Sequence, residues 1–313
     1  MKLNNRLLIG SIGLSLMLGG CGNMNQTNAN EGNEQTETTN VDNQNSDDRL
    51  VRVQDYTGEG YTLRNGEKTD KIAQENKEEI TEAVEKFFLE KYKTEVIVHN
   101  MVGAVDGATV FVESVGEPHF YTYAIVPIDV EQRKVLSDNV WSQEGQVENA
   151  IKTGLYAMIF QEEITKLENY LEETVESKPI IGITQEALKS VRATGYSTTH
   201  YYASTMGNSL DFLFNEYMNN QEISKSDWKT IIEQNPYSPD SILFTIYLYM
   251  EEEKSEPDEE IFNQIVTEIE EMDGIPKGAY SIILNDNMIN KTTAVGAKDN
   301  SLERSYPNDI IKE

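Results

Sequence analysis

The chain has a single cysteine among 313 residues, Cys21. No internal disulfide can form, and thiolate zinc clusters and cysteine nucleophiles are excluded from everything that follows it. Histidine is nearly as scarce: His99, His119 and His200 are the only three. None stands in a His-x-x-x-His or His-Glu-x-x-His pair, so a zinc hydrolase has no sequence support. Each falls in a predicted strand, where a satisfied core or edge histidine is the expected role. Basic residues are few. Lys and Arg total 26 against 54 Asp and Glu, a formal charge of -28. Such a surface repels nucleic-acid phosphates and anionic lipid headgroups. Nucleic-acid binding is not expected. A cationic peptide, a cationic protein patch, another envelope ligand or divalent cations are the electrostatically favoured partners, with solubility alone as the plainer reading of the charge. The Gly-x-Ser-x-Gly elbow, the phosphate-binding loop, the dinucleotide fingerprint and the calcium-loop spacing are all missing. No cofactor is expected. Beyond residue 20 no apolar run is long enough to span a bilayer, which takes about 20 residues.

What is present begins at the N-terminus. Lys2 and Arg6 precede an uncharged, largely apolar stretch, Leu7 to Gly20, that ends Leu18-Gly19-Gly20-Cys21. A basic start, a short apolar core and small residues before a cut site make a secretory signal. At 14 residues the stretch is too short for a comfortable permanent span. The last four residues resemble the lipobox of bacterial lipoproteins, where the cysteine thiol is acylated and its amine becomes the new N-terminus. S-diacylglycerol and N-acyl groups on Cys21 would give a stable anchor, since two chains hold where one is marginal. The predicted localisation is the outer face of the cell membrane, with the lipid as the membrane contact. Removing residues 1–20 takes away both early cations and deepens the net charge to about -30.

Gly22 to Asp48 is rich in Asn, Gln, Thr, Glu and Asp, with Val41 its main apolar interruption. It cannot bury enough surface to fold. As a coil it would reach about 30 Å. The expected organisation is a signal peptide over 1–20, a lipidated tether over 21–49, and two closely packed α+β halves over 50–176 and 177–313.

The folded part reads as α+β. Val51-Arg52-Val53 and Tyr61-Thr62-Leu63 flank a glycine-containing stretch, an extended arm with a turn. Asp70 to Tyr92 keeps helical spacing through Ile72, Ile80, Val84 and Phe88. Glu95 to Val102, Thr109 to Val115 and His119 to Ile128 follow with short connections, which predicts an antiparallel meander. Glu144 to Thr174 carries two apolar stripes out of phase, so two helices or a kink near Gln161 is expected. Thr184 caps a predicted helix to Arg192. Ser197 to Ser204 reads as a strand, and Ser209 to Met218 and Ser224 to Gln234 as short helices. Ile242 to Met250, a helix through Ile261 to Met272, and Tyr280 to Leu284 form a strand-helix-strand unit. Such a unit predicts a right-handed crossover between parallel strands. Asn285 to Glu313 is polar and is expected to wrap the surface.

Candidate chemistry is thin. Asn285-Asp286-Asn287 could offer oxygens to calcium, but a turn is the plainer reading. Ser226-Asp227-Trp228-Lys229, Ser137-Asp138-Asn139 and Lys152-Thr153-Gly154 match the short motifs of penicillin-recognising serine enzymes. Their order is wrong, and Lys152-Thr153-Gly154 sits in a helical run, so that chemistry is rejected. Glu113 is singled out because a strand acid can point inward, although a solvated position is the default for it. Phe120 to Tyr123, His200 to Tyr202 and Tyr247 to Tyr249 could line a peptide or glycan surface, with alternating core tyrosines as the plainer reading.

Several strings carry a resemblance: Asp55 to Tyr61, Asp106 to Ser114, Gly116-Glu117-Pro118-His119-Phe120-Tyr121, Leu284 to Asn287 and Asn300 to Arg304. Through them the chain resembles an uncharacterised lipoprotein family of staphylococci and bacilli, over nearly the whole mature length. The resemblance implies a lipid anchor in a Gram-positive envelope and supplies no catalytic residues. The expected function is a non-enzymatic binding or interaction module of the envelope. The alternatives are a cell-wall or peptide hydrolase using carboxylates, and a structural envelope protein.

Overall fold

The computed structural model describes residues 47–313, so Cys21, the expected signal segment and nearly all of the expected tether lie outside the described residues. From there the chain enters as a strap. Leu50–Arg52 (β1) pairs antiparallel with Met288–Asn290 near the other end of the sequence. The expected arm is present, but its partner is remote in sequence: Leu50 pairs with Asn290, and further along the arm Tyr56 OH donates to Lys291 O, 235 positions away.

Glu67–Glu75 (α1) and Lys77–Tyr92 (α2) replace the single helix expected over Asp70–Tyr92. The break is Asn76, at φ -119 and ψ 31. Its side-chain amide donates back to Ile72 O at 2.7 Å. An asparagine that bonds its own backbone competes with helix continuation.

Val96–Ala104 (β2), Gly107–Ser114 (β3), Tyr121–Asp129 (β4) and Lys134–Val135 (β5) form the expected antiparallel meander, with one strand more than predicted. One face of it carries Val110, Val112, Ala124 and Val126. They share a hydrophobic core with Ile72, Ile80, Val84 and Phe88 of the two helices. Each such side chain contributes about 1.5–3 kcal/mol by leaving water. Helix α1 lies directly on strand backbone. Gly103 N donates to Asp70 Oδ1 at 3.0 Å, and Thr69 Oγ1 donates to Ala104 O at 2.5 Å. A Cβ at Gly103 would stand 2.1 Å from Asp70 N, so only glycine permits this approach.

Gln146–Ile159 (α3) and Gln161–Ser177 (α4) divide at Phe160, where the two stripes lose phase. Then come Ile180–Ile181 (β6), Gln185–Val191 (α5), Tyr201–Thr205 (β7), Asp211–Asn219 (α6), Lys225–Gln234 (α7), Ile242–Met250 (β8), Glu259–Glu271 (α8) and Gly278–Asn285 (β9). Side-chain caps start three of these helices. Thr184 Oγ1 accepts from Ala187 N, Ser224 Oγ from Asp227 N, and Asp258 Oδ1 from Glu260 N and Ile261 N.

Strand β8 is the centre of the second sheet. It runs parallel to β9, as the strand-helix-strand spacing predicted, and antiparallel to β6 and β7. The C-terminal stretch differs from expectation. It contains Met288–Asn290 (β10), Leu302–Arg304 (β11) and Ile310–Lys312 (β12). Strands β11 and β12 both pair with β9. Three-residue strands are too short to carry a readable alternation.

The described residues belong to one compact unit with an α+β fold. A second, smaller cluster of Val53, Tyr56, Tyr121, Ile183, Leu188, Tyr249 and Ile289 packs the N-terminal strap with α5 and strands from both sheets. No helix among the described residues is long and apolar enough to cross a membrane.

Candidate functional site: a carboxylate held by two histidines

Glu113 is the centre of the most concentrated polar cluster. Register places it there. In β3 it sits opposite Ile97 of β2 and opposite Tyr121 of β4. Val98 pairs with Val112 and Asn100 with Phe111, which leaves His99 as an extra residue in β2. Such a bulge re-aims a side chain, and here it delivers His99 Nε2 to Glu113 Oε2 at 2.6 Å. From the turn before β4, His119 Nε2 reaches Oε1 at 2.9 Å, and Tyr121 OH donates to the same oxygen at 3.1 Å. Lys189 Nζ of α5 stands 3.8 Å from Oε2. An ionised carboxylate only accepts, so both imidazoles donate through Nε2–H.

The Glu113 side chain is 16% exposed, so the default solvated position is corrected: this acid points inward and is paired. Burial alone raises its pKa. The hydrogen bonds from His119, His99 and Tyr121 and the charge of Lys189 outweigh burial and hold it below the usual carboxylate range. Burial, the Glu113 charge and the bond to Glu113 push the Tyr121 phenol well up. The cluster therefore fixes an ionised acid beside a protonated phenol.

A second acid lies on the far side of His119. The His119 ring stands edge-on to Tyr196 at 6.2 Å between centroids. Tyr196 OH donates to Glu168 Oε1 of α4 at 2.7 Å, and Tyr201 OH to the same oxygen at 3.2 Å. His200 stands outside this group. Burial pushes its imidazole below the ordinary value, against the pull of Glu172.

Among the described residues no three His, Cys, Asp or Glu side chains are placed to hold a metal ion. Within the cluster the two imidazoles bond different oxygens of one carboxylate. The Lys189 ammonium adds a like charge against any cation.

Two grooves open to solvent. One, of about 500 Å³, runs between α4 and α8 and is lined by Tyr170, Glu173, Lys178, Glu268, Glu271 and Met272. The other, of about 310 Å³, has Leu89, Val115, Pro118, Met158, Ile223 and Trp228 on its walls, beside Lys93, Glu95, Glu117 and Gln221. Leu89 and Val115 are 53% and 49% exposed there. The turn between β3 and β4 gives this groove Val115 and Pro118 and gives the carboxylate cluster His119.

The remaining motifs resolve as structure. Lys152 Nζ, in α3, donates to Asp211 Oδ1 at 2.7 Å, and Thr153 Oγ1 accepts from Tyr196 N at 2.9 Å. A Cβ at Gly154 would lie 2.7 Å from His119 O. Ser226 and Asp227 start α7, while Ser137–Asn139 is a 3-10 turn. Asn285 Oδ1 and Asp286 are engaged within the chain, while Asn287 Oδ1 is buried without a hydrogen-bond partner. Asn285 Nδ2 donates to Leu248 O at 3.0 Å and its Oδ1 accepts from Ser301 Oγ at 2.8 Å. Asn287 Nδ2 donates to Met250 O at 2.7 Å, and Asp286 pairs with Lys298. The tyrosines of the aromatic strands are core residues in the main: Phe120, Tyr121, Tyr123, Tyr201 and Tyr249 are buried.

The fold is thus an α+β unit whose polar centre is a carboxylate shared by two histidines. It defines a protein class by architecture and not by a known reaction. The chain belongs to the family described as "Protein of unknown function (DUF1672)", whose model matches residues 43–312. The resemblance to an uncharacterised staphylococcal family holds. A crystal structure of a DUF1672 family protein from Staphylococcus aureus is similar, with a TM-score of 0.70 and 16% identity. The match covers 85% of this chain and 98% of that one, and at this identity it shows the fold. No curated protein matches the chain.

Proposed function

We propose that the chain is an extracytoplasmic lipoprotein, anchored through acylated Cys21, whose folded part binds a cationic partner in the cell envelope. The observation that carries the anchor is Leu18-Gly19-Gly20-Cys21 behind a basic start and an uncharged run. The polar stretch Gly22 to Asp48 supports it as a spacer between lipid and fold. The acidic balance and the two open grooves support a binding role, because preformed concave surface lowers the ordering cost of association. Replacing Cys21 with Ala is expected to move the protein from the membrane fraction to the medium, or to leave unprocessed precursor. Normal processing with full membrane retention would contradict the anchor.

The carboxylate hydrolase is the competing reading. Its acids would have to face substrate, whereas both oxygens of Glu113 and one of Glu168 accept from the protein's own donors. That weighs toward binding. Turnover of a cell-wall peptide that disappears in Glu113→Gln/Glu168→Gln would reverse the preference.

A further inference from the structure

We propose that Glu113 is an acid-operated latch: uptake of one proton by its carboxylate loosens α5 and the β3–β4 turn, and with them one wall of the groove lined by Leu89 and Val115. The proposal stands apart from the anchor and from the partner's identity.

The geometry carries it. Four segments meet on one carboxylate. His99 comes from the β2 bulge, His119 from the turn, Tyr121 from β4 and Lys189 from α5. Tyr196 backs His119. These are the titratable groups that face the carboxylate from the elements around it. All of them donate or carry positive charge, and only the ionised acid satisfies them together. A protonated carboxyl becomes a donor itself and loses acceptor capacity.

Both segments also have ties of their own: Ala187 and Leu188 of α5 are buried in the smaller apolar cluster, Val115 N donates to Glu95 O, and Tyr121 N donates to Gly195 O. Helix α5 has 7 residues. Its polar ties to the sheet include Lys189 beside Glu113, Asn100 Nδ2 donating to Ser190 O at 2.9 Å, and a side-chain bond between Gln185 and Tyr121. The turn is closed on itself by Ser114 Oγ donating to Pro118 O and accepting from Phe120 N. Its outer residues Val115, Glu117 and Pro118 line the groove. One short turn therefore has the carboxylate cluster on one side and the groove on the other.

The direction of titration agrees. Glu113 ionises below the usual carboxylate range, because its donors outweigh its burial. A group with a depressed folded pKa contributes stability above its unfolded pKa and loses it as pH falls through the folded value. The latch is closed at neutral pH and opens on the acid side of the carboxylate range.

The test is amide hydrogen exchange on the full chain, corrected for the pH dependence of intrinsic exchange. In wild type, residues 115–121 and 185–191 are expected to exchange about tenfold faster once Glu113 is protonated, while β8 stays protected. Glu113→Gln should show the same local gain already at neutral pH. His119→Gln keeps the Glu113 charge but replaces the fixed imidazole donor with a mobile amide, so its acid transition should move to higher pH. The proposal is overturned if the two segments keep their protection through the acid range, or lose it only together with β8. Should Glu113→Gln fail to fold, the wild-type titration and the His119→Gln midpoint still decide. An unmoved midpoint would count against the latch.

Discussion

Two polar clusters, one on each sheet, solve the same problem in opposite ways. On the first sheet Glu113 carries a full charge and sits 16% exposed among His99, His119, Tyr121 and Lys189. On the second, Asn285 and Asn287 are neutral and fully buried, and their amides hold the backbone at the end of β8. The contrast follows solvation. An ion moved wholly out of water costs more than its pairs return, unless every site on it is satisfied. Amides can be buried completely when hydrogen-bonded. The charged cluster is therefore placed where water still reaches it, and it responds to pH. The amide cluster has nothing to titrate.

Substitutions that separate the two clusters should rank by how much buried polarity they strand. Asn285→Leu removes bonds to Leu248 O and Ser301 Oγ at a fully buried position, and is expected to cost about 3 kcal/mol of unfolding free energy in urea titration. Glu113→Gln keeps the size and removes the charge, and should cost about 2 kcal/mol at neutral pH. His119→Gln replaces a fixed ring donor with a mobile amide at a partly exposed site, and about 1 kcal/mol is expected. Lys225→Met breaks the pair with Glu117 on the groove rim, where both side chains are about half exposed. A change below about 0.5 kcal/mol is expected there, one that shrinks further in high salt. A larger loss for Lys225→Met than for His119→Gln would invert the ranking.

The same contrast explains what the sequence made legible. The meander was readable because its strands are consecutive, alternate clearly and are joined by short turns. The parallel pair β8 and β9 was readable because a capped amphipathic helix lies between them. The arm at β1 was readable but its partner was not, and the strands β10 to β12 were missed, because each is three residues long and the β1–β10 pairing is remote in sequence. Glu113 stood out as a strand acid, yet nothing in its neighbours marked it as inward. The signal lay in register: a short connection after Ser114 puts residue 113 opposite 121, which brings His119 and Tyr121 to the acid. His99 was harder, since its direction depends on a bulge that no local pattern announces. The amides at 285 and 287 read as a turn because their acceptors are backbone carbonyls of another strand, invisible to local inspection.

The most direct measurement of the charged-versus-neutral contrast is urea unfolding of wild type, Glu113→Gln and Asn285→Leu from neutral pH into the acid range. The stability gap between wild type and Glu113→Gln should close as pH falls through the depressed carboxylate pKa, because wild type loses what the variant never had. The gap to Asn285→Leu should stay constant over the same range. A Glu113→Gln gap that is flat with pH, or an Asn285→Leu gap that closes alongside it, would contradict the account.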